Sequence, residues 1–196
     1  SDQESQRVRR VALDGLIYTV VGTGEAGFAG DGGPATAAMM RGLAGQAAPP
    51  TSRIAVDRND NLYLADTFNN RIRKVGIDGV ITTIAGTGFD FRMGGETDLG
   101  EYGSALSAAL SWPCDIALDA QDRLFIADTF NHCIRRIDAD GQIATVAGQC
   151  GVQGFAGDGG DPQASLLNRP YGIDLDADGN LYIADTKNQR IRVVYF

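Results

Sequence analysis

A glycine-rich segment, Gly22–Gly27, has the GxGxxG spacing that holds the pyrophosphate of a dinucleotide where a strand meets a helix. Two other segments follow strand-like runs in the same way, yet they read GTGFDF at Gly86–Phe91 and GQCGVQ at Gly148–Gln153. A dinucleotide site also needs a long helix and an acidic residue about twenty positions further on, and the sequence shows neither pattern. We therefore interpret these glycines as turn residues and predict no cofactor.

Carboxylates in two GDGG loops are candidate calcium ligands. The first loop contains Asp31, and the second contains Asp158 with Asp161 close behind it. Calcium takes about six to eight oxygen ligands, whereas each loop offers one or two carboxylates. In the structural alternative, glycine provides positive φ and aspartate caps the short turn that follows. The small number of ligands favours the structural role, and any calcium site would be weak.

Arginine recurs at alternating positions of one strand-like segment in each repeated unit of the chain. Alternation places these side chains on one face of a sheet, where they could bind phosphate or RNA. They could instead pair with Asp66, Asp128 and Asp185 on the neighbouring strand, and the two residue types recur together in every full copy. The formal net charge of -8 also disfavours nucleic acid, so we predict internal ion pairs and no nucleic-acid partner. The arginines are Arg7, Arg9, Arg71, Arg73, Arg135, Arg190 and Arg192.

Histidine and cysteine give little support to a catalytic centre. His132 is the only histidine, and Cys133 beside it in a strand would point to the opposite face, so the two cannot share a metal ion. No GxSxG sequence provides a nucleophilic serine. Cys114, Cys133 and Cys150 lack CxxC spacing, which leaves a single disulfide and three free thiols both open. We predict no catalytic residues, but abundant aspartate and asparagine leave one alternative, a metal-dependent enzyme acting on small molecules or sugars.

All of these residues lie in a sequence that repeats itself, and the repeat determines the fold. Aligned segments begin at Arg53, Asp115 and Gly172. Short apolar runs alternate with clusters of glycine, aspartate and asparagine, which indicates strands separated by tight turns. Antiparallel strands in groups of four at a fixed interval are typical of propeller blades, so the predicted fold is all-β. In the first complete copy the predicted strands a to d are Arg53–Val56, Leu62–Ala65, Arg71–Val75 and Val80–Ala85.

The chain is predicted to be one β-propeller domain, residues 1–196, with about three to three and a half four-stranded antiparallel blades. Ile72, Ile134 and Ile191 occupy the same position of strand c and should face the layer between blades. The predicted units are residues 1–24 (strands c and d), 25–88 (a blade), 89–148 (a blade) and 149–196 (a blade lacking its own strand d).

The edge of the last strand c is predicted to be an assembly interface, because an open strand edge pairs with other strands. Val193, Val194, Tyr195 and Phe196 form an apolar run at this edge. Residues 16–21 form a strand d without its own a and b, and they could cover the edge from the same chain or from a second copy. We favour pairing between chains, or continuation in a longer chain, since closure within this chain would give a ring of only about three to four blades.

Three segments of the chain, NLYLADTFNNRIRKV, RLFIADTFNHCIRRI and NLYIADTKNQRIRVV, resemble NHL repeats, and the resemblance covers nearly the whole chain. The connections GFAGDGGPATAAMM and GFAGDGGDPQASLL look like those of a bacterial NHL subtype, whereas the middle connection departs from that pattern. The resemblance implies a propeller that acts as a non-catalytic binding or scaffold module. NHL-like amidating lyases bind zinc through several histidines, which this chain lacks. Lactonase-like propellers place carboxylates around a central metal, and they represent the enzyme alternative.

A non-repeated aromatic stretch in and after the middle connection is a candidate contact for a protein partner, since irregular loops on a repetitive scaffold carry function. The alternative, equally open, is that these aromatics cover the core of their own blade. The predicted partner is a protein, or another copy through the terminal strands. Membrane insertion is not expected, because no apolar run approaches the roughly 20 residues that span a bilayer. Removal of a signal peptide would leave a polar start like this one, and so would trimming of the chain, so the location stays open between these, with a secreted or periplasmic protein favoured. The candidates are Phe89, Phe91, Arg92, Met93, Tyr102 and Trp112.

Overall fold

The computed structural model describes residues 1–42, 52–89 and 99–196, which form four antiparallel sheets of two, four, four and three strands. We call these sheets blades 1 to 4, and the predicted all-β fold of antiparallel blades is confirmed. Blade 1 contains β1 (Val8–Val11) and β2 (Ile17–Val21); blade 2 contains β3 (Ile54–Val56), β4 (Leu62–Asp66), β5 (Arg71–Val75) and β6 (Ile81–Ala85); blade 3 contains β7 (Pro113–Leu118), β8 (Leu124–Asp128), β9 (Cys133–Ile137) and β10 (Ile143–Ala147); blade 4 contains β11 (Pro170–Leu175), β12 (Leu181–Asp185) and β13 (Arg190–Val194).

Helical structure among the described residues is limited to single turns of 3-10 helix. Some of these turns precede a blade, and the others connect its second and third strands. None of the described helices is long and apolar enough to cross a membrane. The turns are Ala35–Ala37, Thr67–Asn69, Ala105–Ser107, Thr129–Asn131, Pro162–Ala164 and Thr186–Asn188.

Tight hairpins between the last two strands of blades 2 and 3 depend on glycine. Gly79 and Gly141 have φ values of +77° and +78°, a conformation that side chains with a Cβ rarely adopt. The preceding Asp78 accepts a hydrogen bond from the backbone N–H of Val80, with the Oδ1 to N distance 3.0 Å. The Asp-Gly pairs that predicted these turns therefore provide both the backbone freedom and the local hydrogen bond.

The hydrophobic core lies between successive blades. Ile72 of blade 2 packs with Ile116 and Ile126 of blade 3, and Ile134 occupies the next layer, between blades 3 and 4. Both isoleucines are 0% exposed, whereas the equivalent Ile191 of blade 4 is 70% exposed. The expectation that all three positions would be buried between blades is therefore wrong for Ile191. No described sheet lies beyond blade 4 to cover it.

The first two strands pair with each other. Val8 lies opposite Val21, and Val11 lies opposite Ile17, in a separate two-stranded sheet. Residues 16–21 therefore do not cover the last strand of their own chain. Among the described residues, β13 pairs only with β12 and leaves its other edge open.

Candidate functional site

A buried arginine ties the first GDGG loop to blade 2. Arg73 is fully buried, and its Nη2 lies 2.7 Å from Asp31 Oδ1, while its Nη1 lies 3.4 Å from Asp66 Oδ2. The second oxygen of Asp31 accepts hydrogen bonds from the backbone N–H and the hydroxyl of Thr83, at 3.1 and 2.6 Å. Both carboxylate oxygens of Asp31 therefore hold the loop against β5 and β6. For Asp31, Asp158 and Asp161 the favoured structural role stays a prediction, with weak calcium binding as its alternative.

In blade 3, Glu101 takes the place of Asp31 and holds its loop against the blade. Arg135 Nη2 lies 3.0 Å from Glu101 Oε1, and Thr145 donates to the same carboxylate through its N–H and its hydroxyl. The role of Glu101 was not predicted from the sequence, because the middle connection departs from the GDGG pattern over most of its length. The signal was present at residues 100–103, where GEYG aligns with GDGG. The longer side chain and the left-handed tyrosine that follows it (φ of Tyr102, 56°) conceal the correspondence.

A third arginine repeats the arrangement without its last partner. Arg192 Nη2 lies 2.6 Å from Asp158 Oδ1, and its Nη1 lies 3.7 Å from Asp185 Oδ2. No described strand corresponds to β6 or β10 here, so no threonine reaches Asp158. The predicted pairs with Asp66, Asp128 and Asp185 thus form at Arg73, Arg135 and Arg192, within larger networks that include the loops. The prediction is wrong for Arg7 and Arg71, whose guanidinium groups donate to backbone oxygens instead.

Burial affects the carboxylates of these networks. Removal from water raises the pKa of Asp128 to about 6, although Arg135 and the backbone N–H of Ser111 favour its charged form. Burial also raises the pKa of Asp66. Each carboxylate also accepts a hydrogen bond from the asparagine three residues further along the chain: Asp128 from Asn131, and Asp66 from Asn69. These groups are occupied by internal contacts, which is the structural role expected of recurring Arg and Asp pairs.

The turns that precede β1, β5 and β9 each reach across to the next blade. The last residue of the turn adopts a left-handed backbone, and its side chain accepts a hydrogen bond from a backbone N–H of the following blade or of its leading loop. The donor and acceptor pairs are Gly42 N to Gln6 Oε1 at 2.7 Å, Trp112 N to Asn70 Oδ1 at 2.9 Å, and Arg169 N to His132 Nδ1 at 3.1 Å.

His132 is therefore part of a joint between blades. Its Nδ1 must be unprotonated to accept from Arg169 N–H. Burial, followed by the nearby positive charge of Arg169, lowers the pKa of His132, which keeps the ring neutral. In blade 2 the amide of Asn70 accepts the equivalent bond. The only histidine of the chain thus has a close structural counterpart that is not a histidine.

Cys133 and Cys150 form a disulfide with a Cα–Cα distance of 5.0 Å, while Cys114 is a buried thiol. Burial raises the pKa of Cys114 to about 12, so this thiol is unreactive at neutral pH. In blade 2 the two equivalent positions are Arg71 and Gly88. The Arg71 guanidinium donates to the backbone oxygens of Asn69 and Thr87. A Cβ at Gly88 would collide with this guanidinium. A disulfide thus replaces an Arg–Gly contact in blade 3.

The predicted aromatic contacts do not form one cluster. Trp112 stacks between two phenylalanines, with ring centroids 4.2 Å from Phe68 and 4.6 Å from Phe130. Tyr102 is exposed on the loop that precedes blade 3, and Phe89 is partly buried, with its N–H donating to the hydroxyl of Thr87. Trp112 therefore bridges the turns of two blades. The remaining candidates, Phe91, Arg92 and Met93, lie outside the described residues.

The predicted terminal contact residues have different environments. Val194 is buried in the core of blade 4, and Val193 is partly buried. Tyr195 and Phe196 are exposed, with the Phe196 ring centroid 6.0 Å from that of Phe125. Val194 is therefore a core residue, and its side chain already packs within blade 4.

Blade 4 presents an uncovered surface that we call its open face, made of Thr186, Gln189 and Ile191. All three are exposed, and they correspond to residues that join blades elsewhere. Thr67 and Thr129, the counterparts of Thr186, donate their hydroxyls to the backbone oxygens of Pro113 and Pro170 at 2.8 and 2.7 Å. The Thr186 hydroxyl instead donates within its own turn, to Ala184 O. The open face therefore has the side chains of a joint, and no blade among the described residues lies against it.

Metal ligands are sparse. Within residues 1–42, 52–89 and 99–196, no three histidine, cysteine, aspartate or glutamate side chains come close enough to hold a metal ion.

Known proteins resemble this chain in repeat and in fold. A model of the NHL repeat matches residues 167–194. Teneurin-3 of Danio rerio is 31% identical over 97% of this chain and 7% of its own length, and NHL repeat-containing protein 2 of Bos taurus is 28% identical over 68% of this chain and 18% of its own length. The chain thus spans a small part of these relatives.

A solved structure of a Bacteroides thetaiotaomicron protein of unknown function matches this chain with a TM-score of 0.69 at 21% identity. The match covers 97% of this chain and 42% of that chain. At this level of identity the similarity shows the fold alone.

Proposed function

Because this chain belongs to the NHL-repeat family, we propose that it is a non-catalytic propeller module that binds protein through the open face of blade 4. One observation carries the proposal. Ile191 is 70% exposed, whereas Ile72 and Ile134, at the same position of blades 2 and 3, are 0% exposed. Burying such a side chain in a complex is worth about 1.5 to 3 kcal/mol, and this supports binding at that face.

The internal joints indicate what the partner must offer. Ile72 contacts apolar side chains of blade 3, Asn70 accepts from a backbone N–H, and Thr67 donates to a backbone oxygen. A partner of the open face would therefore present an apolar sheet surface with backbone groups beside it. Another NHL-type blade has these features, either in a second copy of this chain or in a larger assembly.

Blade 1 of a second copy offers an apolar surface of this kind. Ile17 is 50% exposed, whereas its counterparts Ile81 and Ile143 are 0% exposed against the preceding blade. Val11 and Leu16 beside it are also exposed. Contact of this surface with the open face of blade 4 would be a head-to-tail association, which closes into a ring or continues as a filament.

The disulfide supports a secreted or periplasmic location for the module. Cys133 and Cys150 are joined, and structural disulfides persist mainly in oxidising compartments. Thiol titration of the protein purified from its own compartment without reductant and then denatured should find one thiol per chain, that of Cys114, if the location is correct. Three titratable thiols after denaturation would contradict it.

The test of the open face is the solution mass of Ile191→Asp. The wild-type chain should associate with rising concentration in sedimentation equilibrium, and Ile191→Asp should remain monomeric, because a charge cannot enter an apolar joint. Ile77→Asp is the matched control, since Ile77 is 79% exposed in a turn away from this face. A wild-type mass that does not change with concentration, or equal effects of the two variants, would overturn the proposal. Stoichiometric bound metal in the purified protein, needed for a turnover activity, would overturn its non-catalytic part.

A further inference from the structure

A cavity of about 410 Å³ lies beside β10 of blade 3. Leu99, Glu101 and Tyr102 line it from the loop that leads into this blade. Thr145 of β10 and Gln149, which follows that strand, line it from the blade itself. A volume of this size suits a small ligand or a single bulky group. The cavity shares no lining residue with the open face of blade 4.

The matching place in blade 2 is filled by side chains of the protein. Gly88 is the counterpart of Cys150, which lines the cavity. Arg71 lies against Gly88, and the Phe28 ring centroid lies 3.9 Å from Arg71 Cζ. Blade 4 contains the same pair of a phenylalanine ring and a guanidinium, at 4.0 Å. In blade 3 the disulfide replaces the guanidinium, and the sequence has Asp98 at the position of Phe28, so the cavity lies where blades 2 and 4 have this pair.

Residues that depart from the repeat meet at this cavity. Blade 3 has Leu99, Glu101 and Tyr102 where the two GDGG loops have alanine, aspartate and glycine. Tyr102 keeps a left-handed backbone, with a φ of 56°, although a residue with a Cβ rarely adopts it. Its side chain is 70% exposed, so packing within the chain does not account for the tyrosine. A strained, exposed aromatic residue on a cavity wall indicates a role in binding.

The cavity offers hydrogen-bond acceptors and little net charge. Glu101 is the only charged residue among the described ones that line it, and the fully buried Arg135 balances that charge at 3.0 Å. Glu101 Oε2 accepts one bond, from Thr145 N–H, and can accept another. The side-chain oxygens of Gln149 and Gln163 accept no hydrogen bond from the described residues, while their Nε2 groups donate to backbone oxygens. Three acceptors thus line a cavity that is close to neutral.

We propose that this cavity binds a neutral saccharide. A sugar carries several O–H donors, which match the acceptors of Glu101, Gln149 and Gln163. It also has an apolar C–H face, which packs on an aromatic ring such as that of Tyr102. The saccharide is either a free sugar or the end of a glycan chain, since both present the same groups.

Other ligand classes fit this cavity less well. An apolar ligand would leave the acceptors without partners, which is costly away from water. An anion would meet the carboxylate of Glu101, and a cation would gain little because Arg135 already neutralises that carboxylate. Glycoside hydrolysis uses a pair of carboxylates, whereas Glu101 is the only one among the described residues of the lining. The cavity is therefore suited to binding a sugar and not to cleaving one.

The test follows the amide signals of the isotope-labelled full chain by NMR during titration with glucose, galactose and mannose. At least one of these hexoses should shift the signals of Tyr102, Gln149 and Gln163. The expected dissociation constant is on the order of 1 mM, as for other ligands of about twelve non-hydrogen atoms. Trisaccharides that end in the same hexoses identify the source, because tighter binding of a trisaccharide indicates a glycan chain and equal binding indicates a free sugar.

Two variants restore the repeat at the cavity. Tyr102→Gly should weaken hexose binding by about tenfold or more, because it removes the ring. It should not destabilise the chain, since glycine suits the left-handed backbone and occupies this position in blades 2 and 4. Gln149→Thr, which copies Thr87, should weaken binding by about threefold to tenfold, because it removes one acceptor. Leu106→Thr is the matched control, since Leu106 is 55% exposed in the same loop and does not line the cavity.

Three results would overturn the inference: no shift of the Tyr102 amide signal with any of the three hexoses at about 50 mM, tighter binding of glucuronate or of lysine amide than of the hexoses, or equal binding by Tyr102→Gly and the wild type. The outcome is independent of the proposed protein binding. Ile191→Asp changes a residue outside the cavity and should bind hexose as the wild type does. A chain that associates through Ile191 without binding hexose would refute the saccharide site alone.

Discussion

The joint between blades 3 and 4 and the open face of blade 4 use matching residues with opposite outcomes. In the joint, Ile134 is fully buried and His132 accepts a hydrogen bond from Arg169 N–H. On the open face, Ile191 is exposed and Gln189 accepts no hydrogen bond from the described residues. The repeat thus specifies the side chains of a joint, but a neighbouring blade is needed to make those side chains stabilise the fold.

The largest difference should come from the isoleucines themselves. Ile134→Ala is expected to lower the free energy of unfolding by about 2 to 5 kcal/mol, because it leaves a cavity in a fully buried layer. Ile191→Ala should change it by less than about 0.5 kcal/mol in the dilute chain, since the side chain is already in water. Urea denaturation measures both. Similar losses for the two variants would show that the open face is covered in solution.

The disulfide of blade 3 can be compared directly with the Arg71–Gly88 contact of blade 2. Replacing both Cys133 and Cys150 by serine should cost about 3 kcal/mol, because the bridge closes a loop with a sequence separation of 17. The double variant Cys133→Arg with Cys150→Gly, which copies Arg71 and Gly88 of blade 2, should recover part of that loss. Urea denaturation with and without a reductant is the measurement. If the serine variant is as stable as the wild type, the bridge does not hold the blade together.

Glu101 tests whether the divergent middle loop does the work of a GDGG loop. Glu101→Gln removes the charge that faces buried Arg135 and weakens two bonds from Thr145, so a loss of about 1.5 to 3 kcal/mol is expected. Glu25→Gln is the control, because Glu25 is exposed and has no such network. Both variants are compared by urea denaturation. A loss equal to that of the control would mean that the loop is held by its backbone bonds alone.

His132 should give the smallest effect, visible only as a dependence on pH. The folded chain holds the pKa of His132 below its ordinary value of 6.5, so on acidification the unfolded chain takes up this proton first. Stability should therefore fall as pH decreases below about 6.5 and be unaffected by this group above it. In His132→Asn, which keeps an acceptor as Asn70 does, that part of the decrease should disappear from urea denaturation at pH 5 to 7. An unchanged pH profile would show that folding does not lower the pKa of His132.

Much of the fold was predictable because the repeat is strong and local. The predicted strand Arg71–Val75 is observed with the same ends, and the predicted strand Val80–Ala85 begins one residue later, at Ile81. Asp-Gly turns and alternating apolar residues depend on near neighbours in the chain, so the sequence displays them directly. Glu101 was not predicted, because its role depends on Arg135, which is distant in the sequence. The short segment around it, GEYG, resembles GDGG too weakly to reveal that role.

The blades, their turns and the residues that could form joints follow from local sequence, since backbone preference and side-chain alternation act over a few residues. Only the tertiary structure decided which joints are made. It placed Cys133 beside Cys150, Glu101 beside Arg135, and Ile191 at a surface with no described blade beyond it. The physical reason is that burial and ion pairing depend on what lies opposite a side chain in space, and identical positions of a repeat can have different neighbours.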